Sequence, residues 1–241
     1  TILLSCQLVN NEIGTVQPVE QLGKLLKAKA PKALFHIDAV QGLCRVRLTP
    51  KKWNCDLMSV SGHKIGAPKG IGALYLSDSL VQAFRPPYLG GEQERGIRPG
   101  TENLPYALGM AAAAARLAGN MPARTAAIQA LNQRLRAGLA HFPEVVLNSP
   151  ASAVPEVVNF SENCIKSETM LAFLAERKIY VSSASACGRG QPSHTLAAMG
   201  LPPRAIDTAI RVSFCADNTP EDVDAFLERF EDGMKNLQKL R

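Results

Sequence analysis

Lys64 stands in the run Ser59-Val60-Ser61-Gly62-His63-Lys64-Ile65-Gly66-Ala67-Pro68-Lys69-Gly70. An apolar stretch, Asp56–Val60, leads into it, and a second, Ile71–Leu76, follows. A lysine at the end of a buried strand, where a glycine-rich turn begins, can be held rigidly and partly desolvated. That environment lowers an amine pKa and makes it a Schiff-base nucleophile. Ser61 and His63 flank it with short donors suited to a phosphate. On spacing alone, a solvated lysine in a surface loop is the favoured reading.

Three further residue types could act with an amine. Asp38 ends the apolar segment Ala33–Ile37, and a carboxylate buried there needs a cationic partner. A helix cap or turn aspartate is the alternative. Arg211 interrupts the apolar stretch Ile210–Phe214, and a buried guanidinium suits a bidentate clamp on a carboxylate, either a ligand's or that of Asp207 or Asp217. Cys187 lies among small residues, Ser182-Ser183-Ala184-Ser185-Ala186-Cys187-Gly188-Arg189-Gly190-Gln191, without apolar periodicity. Such a cysteine is expected to be exposed and mobile, and Arg189 favours its thiolate. An inert loop cysteine is the other reading.

The elements that must position these residues follow from pattern. Residues 2–9 read as a buried parallel strand. Pro18 opens a helix with Val19, Leu22, Leu25 and Leu26 on one face, ending near Ala30-Pro31. A strand at Ala33–Ile37 completes a βαβ unit, and the strand ends of such units are where ligands bind. Two strands bracket Lys64. Pro86-Pro87, Gly90-Gly91, Gly96 and Pro99-Gly100 mark a long irregular loop. From Thr101 the pattern is helical, broken at Gly119-Asn120 and Pro122, with a second helix to about His141. The rest alternates: strands at Val145–Leu147 and Val157–Phe160, helix Glu168–Arg177, strand Ile179–Ser182, helix Ser193–Met199, strand Ala209–Phe214 and helix Pro220–Leu240. Thr219-Pro220-Glu221-Asp222 is a capped, acidic start for the last helix. The expected fold is α/β. Residues 1–118 form part of a large domain with a mainly parallel sheet, and residues 119–241 form a small α+β domain with the cysteine loop.

Composition narrows the functional classes. Hydrophobic residues make up 46% of the 241 and charged residues 20%, as in a globular protein with a sizeable core. The formal net charge of +6 is scattered rather than clustered with aromatics, which argues against direct nucleic-acid binding. No apolar run approaches the roughly 20 residues of a membrane helix. The six cysteines, Cys6, Cys44, Cys55, Cys164, Cys187 and Cys215, contain no CxxC and no histidine at ligand spacing, so no metal site is expected. No secretory leader is visible, and the expected location is a reducing cytoplasm. The chain opens on a strand without a methionine, and we expect it to be the C-terminal piece of a longer protein.

The segment Ser61-Gly62-His63-Lys64 with its Gly/Pro/Lys/Gly turn resembles the cofactor-lysine segment of the cysteine desulfurases (the NifS and IscS type). These are pyridoxal-phosphate enzymes of the class V aminotransferase fold, fold type I. Five other segments agree in order: Val9–Gly14, His36–Gln41, Gly90–Thr101, Ser182–Gly188 and Ile210–Phe214. The resemblance implies that Lys64 carries pyridoxal 5'-phosphate, that Asp38 pairs with the ring nitrogen, and that Asn11 and Gln41 bond the phenolic oxygen. It assigns Ser61, His63 and Thr101 to the phosphate, Thr101 reaching the other subunit of a homodimer. Arg211, with Asn11, would bind the substrate carboxylate.

Cys187 would take sulfur from L-cysteine as a persulfide, leaving L-alanine, and pass it to an acceptor protein for iron–sulfur cluster assembly or tRNA thiolation. Ala184 stands where the family usually has glycine, and the span after Cys187 is a residue or two shorter, which bears on acceptor choice. The other functions compatible with the resemblance are a selenocysteine lyase, an aminotransferase, or an inactive docking or dimerisation fragment. The segments that stack on the ring and complete the phosphate cup fall outside this sequence, so poor activity is expected of the isolated chain.

Overall fold

The computed structural model describes residues 1–183 and 191–240. The chain forms two compact units: residues 1–9 with 17–121, and residues 10–16 with 122–241.

The first unit is built on strands β1 (Leu3–Gln7), β2 (Leu34–Asp38), β3 (Leu57–Ser61) and β4 (Gly72–Leu76), side by side in that order. The first three are parallel, with Leu3 opposite Leu34 and His36 opposite Leu57. β4 runs antiparallel to β3, Ser61 opposite Gly72, so the Lys64 turn is the connection of a β-hairpin. Helix α1 (Val19–Lys29) makes the crossover between β1 and β2. Its buried residues Val19, Gly23 and Leu26 are spaced by four and three, which lays one helix face on the core. Lys27 ties the helix to the sheet by donating to Asp56 at 2.9 Å, and the same carboxylate oxygen accepts the Phe35 amide at 2.8 Å. Helix α2 (Asp78–Ala83) and helix α3 (Leu104–Gly119) follow, separated by the expected loop, which holds one short 3-10 turn at Gln93–Gly96. Sequence pattern had left α2 unseen, because six residues are too few to display a period.

The second unit takes in almost all of α4 (Met121–Leu139), with β5 (Val146–Leu147), β6 (Val157–Ser161), α5 (Ser167–Glu176), α6 (His194–Ala198), α7 (Pro203–Asp207), β7 (Ala209–Ser213) and α8 (Pro220–Asn236). The strands form an antiparallel sheet in the order β5-β6-β7. Leu131, Leu135, Leu139, Phe160, Met170, Leu174, Ile210, Phe226 and Phe230 build one core from α4, α5, α8 and the sheet. Phe230 meets Phe142 and Phe160 edge-on, at 5.1 and 5.6 Å between centroids, and stacks on Phe226 at 5.7 Å.

Two expectations are corrected here. Ile179–Ser182 is not a strand; only Ser182 pairs, in an isolated antiparallel bridge to Arg211. Lys178 just before it has φ +62°, which turns the chain away, and Ile179 and Val181 pack on the helical core instead. The last helix stops at Asn236 rather than Leu240: Leu237 turns extended to cover the core, and the Leu240 amide donates to the Cys164 carbonyl at 2.6 Å.

Candidate active site

In the first unit, β2 alternates: Phe35 and Ile37 are fully buried, whereas His36 and Asp38 take the other face. That period explains why Asp38 is exposed and not buried as its apolar flank suggested. Its Oδ1 accepts the Val40 amide at 2.9 Å, forming a turn at the strand end. The carboxylate's remaining capacity is open to a cation. Beside it, the Ala39 amide donates to the Ser59 carbonyl at 2.9 Å, which continues the β2–β3 ladder to the point where β3 enters the Lys64 turn.

That turn is a 3-10 segment, Gly62–Ile65, closed by Gly66 at φ +78°. The Gly62 amide donates to the Ile71 carbonyl at 2.9 Å and the Ala67 amide to the Gly62 carbonyl at 3.1 Å. Gly62 has no room for a side chain: a Cβ there would sit 2.9 Å from the Ile71 side chain. Gly62 and Ile65 are buried and anchor the turn, while His63 and Lys64 are exposed on its open side. The two anchors, three residues apart, leave the pair between them on the outer side of the turn. Ser61 Oγ lies 2.7 Å from His63 Nδ1. An Nδ1 that accepts from Ser61 leaves Nε2–H as a donor.

Gln41, in the turn after β2, accepts from Arg45 at 2.8 Å through Oε1, which leaves its amide NH₂ as the donating end. Thr101 is exposed, between Gly100 at φ +98° and the Asn103 cap of α3. This set holds one open carboxylate, one primary amine and several hydroxyl, imidazole and amide donors. It suits a ligand with a ring cation, an aldehyde and a phosphate.

Asn11 belongs to the second unit, with Arg211. The Arg211 guanidinium donates through Nη1 to the Asn11 carbonyl at 3.0 Å, and its Nε is buried with no hydrogen-bond partner among the described residues. Neither Asp207 nor Asp217 pairs with it; both are exposed. Burial lowers the Arg211 pKa below its ordinary value, and the nearby charge of Glu12 opposes that shift. A half-buried guanidinium with an unused N–H is a receptor for a carboxylate. Cys187 lies outside the described residues.

Sequence reasoning passed over Glu12. It is 1% exposed and accepts from Ser193 Oγ at 2.5 Å and Thr195 Oγ1 at 3.0 Å, so it joins residues more than 180 positions apart. Its place in Val9-Asn10-Asn11-Glu12-Ile13-Gly14 was the available signal: a charged residue directly before an apolar one in a glycine-ended turn.

With fold and site in place, the class is defined: the chain belongs to the class-V aminotransferase family, whose profile matches residues 1–226, and that family uses pyridoxal phosphate. Among individual relatives, it is 38% identical over its whole length to a cysteine desulfurase IscS of Methanosarcina thermophila, covering 59% of that protein. It is 42% identical to cysteine desulfurase 2 of Trichormus variabilis, again over its whole length and covering 60% of that protein. A solved NifS-like protein superposes with a TM-score of 0.90 at 34% identity, over 98% of this chain and 62% of that one. The NifS-like protein of Rickettsia africae gives 0.84 at 31% identity, over 95% and 61%. The chain thus spans about three fifths of the length of the relatives it matches. No helix among the described residues is long and apolar enough to cross a membrane.

Proposed function

We propose that the protein of which this chain forms part is a pyridoxal-phosphate-dependent cysteine desulfurase, converting L-cysteine to L-alanine and keeping the sulfur as a persulfide on Cys187. The observation that carries the reading is the amine turn and open carboxylate of the first unit; the second unit separately offers a guanidinium suited to a carboxylate. Lys64 is presented by the turn after β3, whose neighbouring strand β2 ends at the open carboxylate of Asp38, and among the described residues Arg211 keeps an unused buried N–H.

In this reading Lys64 would hold the cofactor through its aldehyde and would move protons at the substrate carbons. Asp38 keeps the ring nitrogen protonated by supplying the opposite charge. Ser61 and His63, with Thr101 from the second subunit of a homodimer, donate to the phosphate. Gln41 and Asn11 donate to the phenolic oxygen. When bound, the pyridinium ring supplies the electron sink for chemistry at the substrate α carbon. Arg211 orients the substrate by its carboxylate. The Cys187 thiolate then forms a sulfur–sulfur bond with the substrate sulfur as the carbon–sulfur bond breaks. The bonding pair stays with the substrate carbon, which is protonated and leaves as alanine, so no external oxidant or reductant enters. The persulfide passes to an acceptor protein serving iron–sulfur assembly or tRNA thiolation.

The test is the visible absorption band formed with added pyridoxal phosphate, in this chain and in the protein extended to the length of its relatives. It is compared with Lys64→Ala, followed by alanine release from L-cysteine with and without Cys187→Ser. The reading expects Lys64→Ala to lose the band and Cys187→Ser to keep the band but lose alanine release. A band that survives Lys64→Ala, or alanine release that survives Cys187→Ser, would overturn it.

A further inference from the structure

Glu12 is a carboxylate held from both ends. The Asn10 side-chain oxygen accepts the amides of Glu12 and Ile13 at 2.8 and 3.0 Å, which fixes the backbone that carries it. Its two oxygens are taken by hydroxyls, Oε2 by Ser193 and Oε1 by Thr195. The Ser193 hydroxyl is itself anchored, accepting the Leu196 amide at 3.1 Å as the cap of α6. A carboxylate 1% exposed ordinarily takes a cation as its partner. A cation is at hand, because Arg211 bonds the carbonyl of Asn11, the residue before Glu12. Yet among the described residues the two form no ion pair, and the Arg211 Nε stays buried without a partner. The charges are near enough to influence each other and are kept apart by hydroxyl donors.

We propose that Glu12 is a positioning residue for Arg211: Ser193 and Thr195 hold it off the guanidinium, so that it sets the arginine's affinity for a carboxylate while leaving the buried Nε unpaired for one. This rests on the reading of Arg211 as the ligand of the substrate carboxylate. Two opposite effects follow. Removing the charge of Glu12 leaves a more strongly attracting guanidinium. Removing the two hydroxyls frees the carboxylate to turn onto Nε, where it competes with the ligand. A residue that served only to brace the fold would give losses in both cases.

The experiment is isothermal titration of the cofactor-loaded protein with L-alanine and, in parallel, with ethylamine, which is the same molecule without the carboxylate. Glu12→Gln should tighten L-alanine severalfold and leave ethylamine unchanged. The double variant Ser193→Ala, Thr195→Val should weaken L-alanine, again without change in ethylamine. Adding Glu12→Gln to that double variant should restore the affinity. The proposal is overturned if Glu12→Gln leaves L-alanine binding unchanged, if both ligands move together, or if the triple variant is no better than the double. Arg211→Ala separates this proposal from the reading beneath it. Loss of the preference for L-alanine over ethylamine upholds Arg211 as carboxylate ligand, and the Glu12 variants then decide the proposal alone. An unchanged preference removes the reading and the proposal with it.

Discussion

Ser182 and Arg211 exchange both of their backbone hydrogen bonds, the Ser182 amide donating to Arg211 at 3.1 Å and the Arg211 amide donating back to Ser182. Among the described residues this bridge is the one backbone pairing between the segment after α5 and the edge strand β7. It holds the first residue of the cysteine segment against the residue whose guanidinium Nε has no partner among the described residues. Arg211 is thereby fixed by its backbone through Ser182 and by its side chain through Asn11.

Arg211→Lys keeps the charge but loses the forked donor geometry. One ammonium cannot hold the Asn11 carbonyl and a carboxylate in the same plane. We expect KM for L-cysteine to rise about tenfold or more, equivalent to roughly 1.4 kcal/mol. The smaller effect should fall on kcat, because the lost interaction is made with bound substrate as well as in the transition state. Steady-state kinetics check this, and a variant with unchanged KM would show that Arg211 does not bind the substrate carboxylate.

Gly23 lies inside α1, where alanine is ordinarily favoured by about 1 kcal/mol. Here a Cβ would fall 1.9 Å from the Trp53 carbonyl oxygen, a backbone atom that cannot swing aside. Helix and loop approach each other only because the side chain is missing. Gly23→Ala should therefore destabilise, against its propensity, by about 1–3 kcal/mol or more, as expected of overpacking. Urea denaturation measures it, and a midpoint at or above that of the parent chain would contradict the contact.

Much of the architecture was legible because period carries so far. The βαβ unit, the two strands that bracket Lys64 and the helices α4, α5, α6 and α8 follow from pattern, whereas the antiparallel turn of β4 and the short helix α7 do not. The helix start at Thr219 was readable from its cap, and the Thr219 amide does donate to Asp222 at 3.0 Å. What pattern could not supply was which face of a strand meets a core. Asp38 was read as buried because its neighbours are apolar, whereas alternation with Phe35 and Ile37 puts it outside. Nor could pattern show that residues 10–16 pack with the second unit, since Glu12 meets Ser193 and Thr195 across more than 180 positions of sequence. The Ile179–Ser182 segment has strand composition, but its pairing is limited by the left-handed turn at Lys178, a conformation with no signature in a lysine.

Glu162 shows how a buried carboxylate in this fold should report on pH. It is fully buried, and burial pushes its pKa up to about 7. The Cys164 and Ile165 amides each donate to it at 2.8 Å, and Lys239 and Arg204 add favourable charge, but together they do not offset the desolvation. In the unfolded chain the group returns to the ordinary value of 4.5. Below that value both states are protonated and Glu162 carries no penalty. As pH rises from 4.5 toward 7 the unfolded state ionises first, so stability falls across that window by an amount on the order of 1–3 kcal/mol, then levels off. Glu162→Gln cannot ionise and should flatten this part of the profile. At pH 5 the variant should be the less stable, having one acceptor oxygen for two amides, and by pH 8 the difference should shrink or reverse. Denaturant midpoints at the two pH values decide it: parallel losses in the parent and the variant would mean that Glu162 ionises at its ordinary pKa in the folded protein.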